Sequence, residues 1–121
     1  MNYFISPPTE SNWRLAPSEF IADLLSRWPQ ALVQGLTNSP YFSHEWEIQT
    51  PSGILEGEFY KDGTAVAFMG DFQDCTNFVL WFRSLVPPEQ PLVFYDDGLH
   101  FKVDITRETT AADIVSLVGE D

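Results

Sequence analysis

Apolar residues recur along residues 71–86, DFQDCTNFVLWFRSLV, at the spacing of one helix face. At about 3.6 residues per turn, Phe72, Cys75, Phe78, Val79, Phe82, Leu85 and Val86 form a stripe, with Gln73, Asn77 and Ser84 opposite. Asp71 stands at the N-cap position, and Asp74 brings a second carboxylate to the free N–H groups of the first turn. Pro87 and Pro88 stop the helix, because proline has no N–H to donate and its ring clashes with the preceding turn. A second stripe, Phe20, Ile21, Leu24, Leu25 and Trp28, follows Pro17, which suits a first helical position, and Pro29 ends it. Ala111, Ile114, Val115 and Val118 outline a third, short helix. Thr110 and Asp113 form a capping-box variant at its start, and Gly119 stands near its C-cap.

Between these helices the period changes to two. Over 44–50, Trp46 and Ile48 alternate with Glu45, Glu47 and Gln49. Over 54–60, Leu55, Gly57 and Phe59 take one face and Glu56 and Glu58 the other. Pro51-Ser52-Gly53 supplies the first reversal and Asp62-Gly63 the second, leading into a strand over 64–69. After the central helix, 91–95 and 99–105 read as a hairpin around Asp96-Asp97-Gly98, with Leu99, Phe101, Val103 and Ile105 pointing inward and His100, Lys102 and Asp104 outward. Residues 31–36 have strand content but contain Gly35, and 2–5 fit either a short edge strand or an ordered tail. The order is helix, meander, helix, hairpin, helix. Strands joined by tight turns pair antiparallel. This predicts an α+β protein with one antiparallel sheet of about five to six strands and helices on one face, forming one domain over 1–121.

Charge narrows the range of partners. The 121 residues carry 6 Lys and Arg against 18 Asp and Glu, a net −12. Such a chain is repelled by nucleic acid and by anionic membranes, so a partner guided by charge is a basic protein. Cys75 is the only cysteine, which rules out an intrachain disulfide and favours a reducing compartment. The start MNYFISPPTESNW lacks a positive n-region and a long apolar run, and no segment approaches the roughly 20 apolar residues that span a bilayer. The expected location is the cytoplasm.

Little in the chain points to catalysis. Two His and one Cys without ligand spacing cannot form a zinc site, so no metal or cofactor is expected. Cys75 lies on the apolar stripe between acidic neighbours and reads as a buried small hydrophobe. No motif places a Ser or Asp to form a triad with His44 or His100, and no phosphate loop or dinucleotide fingerprint occurs. The constellation above background is acidic. Any hairpin register that keeps Trp46 and Ile48 on the face of Leu55 and Phe59 also brings Glu45, Glu47, Glu56 and Glu58 together. Like charges across strands oppose folding by some tenths of a kcal/mol per pair, so the face is either a solubilising surface or a docking surface for a basic partner. Leu80 and Trp81, off the main stripe, can meet another helix, a second copy in a homodimer, or a partner.

Two functions are compatible with this. One is a non-enzymatic, protein-binding module, of immunity or regulatory type. The other is a small-ligand-binding protein or enzyme with a pocket between sheet and helices lined by aromatics such as Trp13, Trp28, Trp46 and Trp81. In size, charge and architecture the chain resembles small acidic cytoplasmic α+β proteins of bacteria that work by binding, including immunity proteins of toxin systems. The likeness rests on no motif, and no functional residue is carried over from it.

Overall fold

The computed structural model describes residues 2–118. Seven strands form one antiparallel sheet: β1 (Tyr3–Ser6), β2 (Leu32–Gly35), β3 (Phe42–Thr50), β4 (Gly53–Tyr60), β5 (Val66–Met69), β6 (Leu92–Asp96) and β7 (Lys102–Ile105). Their order across the sheet is β2-β3-β4-β5-β1-β6-β7. Helices α1 (Pro17–Arg27), α2 (Phe72–Ser84) and α3 (Ala111–Val118) pack on one face. This is the α+β architecture expected from the patterning, with more strands than the five or six anticipated.

The additional strand count goes with a correction at the N-terminus. Residues 2–5 are neither an edge strand nor a tail. Strand β1 lies between β5 and β6, with Ile5 opposite both Val66 and Phe94, and so joins the meander to the C-terminal hairpin. Its partners lie about 60 and 90 positions away, beyond the reach of local turn signals. A second correction concerns the last hairpin. Strand β7 begins at Lys102 and not at 99, and Leu99 is 68% exposed instead of facing inward. The Asp96 carboxylate accepts the His100 backbone N–H at 2.7 Å, and the Leu99 N–H reaches the Asp96 carbonyl at 3.1 Å. The turn is therefore wider than a two-residue loop and leaves Leu99 at φ 53°.

The helix ends follow their sequence signals. Asp71 accepts the Gln73 N–H at 3.0 Å. At the start of α3, Thr110 N–H donates to the Asp113 carboxylate at 2.9 Å while Asp113 N–H donates to Thr110 Oγ1 at 3.1 Å. The proposed C-cap Gly119 lies outside the described residues.

The core is a layer of interlocked rings between sheet and helices. Phe20 of α1 stacks on Phe59 of β4 with centroids 4.2 Å apart, and Phe78 of α2 stacks on Trp46 of β3 at 4.9 Å. Of the α1 stripe, Phe20 and Leu24 are fully buried, whereas Leu25 is 37% exposed. On the predicted α2 stripe Cys75, Phe78, Val79, Phe82 and Val86 are buried and Phe72 and Leu85 partly so, and two polar residues, Thr76 and Arg83, are buried with them. The layer covers only the inner face of the sheet. The opposite face of β2–β5 carries no helix, and it is there that the acidic residues emerge.

Candidate functional site: an acidic groove on the open sheet face

Alternation in four neighbouring strands builds this surface. The β3–β4 register sets Glu45 directly opposite Glu58 and Glu47 opposite Glu56. The four carboxylates predicted to cluster are therefore two cross-strand pairs, stacked along one hairpin. The same register puts Trp46 opposite Gly57 and Ile48 opposite Leu55 on the covered face. Flanking strands extend the open face, with Leu32 and Gln34 of β2 opposite Glu47 and Glu45, and Met69 and Ala67 of β5 opposite Glu56 and Glu58. Together they form a groove of about 520 Å³.

Its electrostatics and its walls differ in sign and polarity. Partial burial, together with the charge of Glu45 opposite, raises the Glu58 carboxyl above its ordinary value. Leu32 is 66% exposed, Met69 37%, and Ile54, further along the face of Glu56 and Glu58, 46%. These three apolar side chains around the glutamates were missed when the strands were read one at a time. The signal was present, since each stands at an even spacing from a glutamate on its own or the paired strand. Charge with an apolar margin is the chemistry of a docking surface for a segment bearing both cations and methyl groups. It offers no nucleophile and no positive group to stabilise an oxyanion. Among the described residues, no three His, Cys, Asp or Glu side chains converge as metal ligands would.

The other candidates are placed as follows. Leu80 and Trp81 are partly buried against their own chain's core. Trp81 meets Phe20 of α1 at 6.0 Å and Trp28, the residue that caps the C-terminal end of α1, at 5.0 Å. The four tryptophans considered as a pocket lining pack on other rings: Trp13 on Phe82, Trp28 on Phe78 and Trp81, and Trp46 on Phe78. Cys75 is fully buried, and desolvation followed by the charges of Asp74 and Asp71 pushes its thiol up to about 12, which keeps it protonated. His44 Nδ1 lies 3.0 Å from Ser43 Oγ. His100 points outward as expected, but its Nδ1 also lies 2.8 Å from buried Asp96. Burial would raise the Asp96 carboxyl; hydrogen bonds from the His100 ring and amide outweigh this and hold it below the ordinary value.

Comparison with protein-family models, with curated proteins and with solved structures finds no match. Among the described residues no helix is long and apolar enough to cross a membrane.

Proposed function

We propose that this chain is a non-enzymatic protein-binding module whose open sheet face docks a basic protein, in the manner of an immunity-type or regulatory protein. One observation carries the reading. Glu45–Glu58 and Glu47–Glu56 are direct cross-strand pairs of like charge at an uncovered groove lined by exposed Leu32 and Met69, with exposed Ile54 further along the same face. Stability alone would place Lys or Thr at one member of each pair, because opposed like charges cost some tenths of a kcal/mol. A cationic partner turns that repulsion into attraction, and the net −12 speeds its approach. A single buried cysteine suits a reducing compartment, and the cytoplasm is where we place such a module and its partner.

The test uses a synthetic strand-forming peptide with lysines alternating with valines, titrated against the protein by fluorescence anisotropy over a salt series. The wild-type chain is expected to bind with an affinity that falls steeply as salt rises. Replacing Glu45, Glu47, Glu56 and Glu58 by Lys should abolish binding. Replacing Glu10, Glu19, Asp23 and Glu89 by Lys makes the same change in net charge elsewhere and should leave most of it. Equal loss in both variants would reduce the face to one part of a diffuse charge and sink the proposal.

A further inference from the structure

Arg83 occupies a position that charged residues rarely take. It sits in the last turn of α2 at 3% exposure, so its guanidinium has left water. Nη2 donates to the carbonyls of Pro87 and Pro88, each at 3.0 Å. Nε and Nη1 are buried with no acceptor, and among the described residues no carboxylate pairs with the group. Among the described residues it is the only buried charged side chain with unpartnered polar atoms. A buried cation without a counter-ion is costly, and natural proteins pair such groups or bind something to them.

The surroundings say what would bind. Arg83 lines a cavity of about 300 Å³ together with Leu80, Ser84, Thr106, Arg107 and Thr109. Two of the chain's six basic residues therefore face one small hollow in a protein of net charge −12. Three hydroxyl groups line the same space. Burial, then the Arg107 charge, lowers the Arg83 pKa, opposed in part by the charges of Glu108 and Glu89. An anion between the two guanidinium groups would remove both penalties. The volume is that of about ten waters, enough for a compact ligand of several heavy atoms. A guanidinium fork matches the two oxygens of a carboxylate or phosphate group.

We infer that the hollow between the C-terminal end of α2 and the loop 106–109 is a binding site for a small oxyanion, a phosphate or carboxylate group, held by Arg83 and Arg107, with whichever of the Thr106 and Thr109 hydroxyls does not donate to the other as a further donor. The site is independent of the acidic groove: its ligand has the opposite charge and none of its lining residues is shared.

The test is an NMR titration of the full ¹⁵N-labelled chain with sodium phosphate and, separately, sodium acetate, against sodium chloride at matched sodium concentration. Matching the cation matters because salt acts on any chain of this charge. The Arg83 Nε–H resonance is expected to shift saturably with phosphate or acetate and not with chloride, and the more effective ion reports which oxyanion the site prefers. Arg107→Gln, a change at an exposed residue, should weaken that binding about 10-fold or more, the worth of one charge-assisted contact. Lys102→Gln on β7, which removes the same charge outside the hollow, should leave it unchanged. A resonance that follows chloride equally, or an Arg107→Gln chain that binds as well as the wild type, would overturn the assignment. Because Arg83 also holds the Pro87–Pro88 carbonyls, Arg83→Lys serves only as a second arm, in which charge is kept and the fork, with the binding, is lost.

Discussion

At Gly57 the chain leaves out a side chain where a neighbouring backbone and two other side chains crowd in. A methyl group there would stand 2.4 Å from the Ala67 carbonyl oxygen, 2.6 Å from Trp46 Cζ2 and 2.9 Å from Phe68 Cβ. The carbonyl belongs to the paired strand β5, and Trp46 is held by its stack on Phe78, so neither can easily retreat. Gly57→Ala is therefore expected to lower stability by about 1–3 kcal/mol, read as a reduced urea midpoint. An unchanged midpoint would mean that the indole has room to move. The alternation of β4 shows in the sequence which face Gly57 occupies, but not why it must be glycine, because the reason is Trp46 on another strand. Arg83 illustrates the same limit more strongly. Its position at the edge of the α2 stripe is visible, yet its burial depends on Pro87, Pro88 and the loop 106–109, which local periodicity cannot bring together.

At the scale of elements, what was legible is what is local. Helix stripes, the Asp71 cap, the Thr110–Asp113 box and the meander turns each follow from residues a few positions apart, and the four-glutamate cluster follows from one hairpin register. The place of β1 did not, because a four-residue strand carries no label for partners so far along the chain. Its central position makes a prediction that separates it from an edge. Ile5 is fully buried between Val66 and Phe94, whereas Leu32 on the edge strand β2 is mostly in solvent. Ile5→Ala should cost about 2–5 kcal/mol in equilibrium unfolding. Leu32→Ala should stay within about 0.5 kcal/mol, as for an exposed side chain. Similar losses in the two would argue that β1 does not bridge the two parts of the sheet. Among the described residues strand β2 also leaves one backbone edge without a neighbour, so a strand added there would lie beside Leu32 and Gln34, with Glu45 and Glu47 on the next strand over.

For the molecule as a whole, charge should make stability depend on pH and salt in a definite direction. Two shifted carboxyls act in opposite senses. The Glu58 carboxyl titrates above its ordinary value in the folded protein, from burial and then Glu45, so the folded state binds more protons than the unfolded one. Its strain is fully present at neutral pH and is relieved as pH falls through the raised value toward the ordinary one near 4.5. Asp96 titrates below its ordinary 3.8, so its contribution is present above that pH and is lost as pH falls through the depressed value. Stability should thus rise from pH 7 toward about 5 and fall again in stronger acid. Added sodium chloride at pH 7 should raise the melting temperature, because the Debye length shortens to about 8 Å at physiological salt and screens the longer-range repulsion among the carboxylates. Glu58→Gln removes the strained charge without removing the side chain. It should melt higher than the wild type at pH 7, and its melting temperature should change less between pH 7 and pH 5. If instead Glu58→Gln melted lower at pH 7 and kept the full pH dependence, the cross-strand pairs would not be a strained feature, and a basic partner would have no repulsion to relieve at this face.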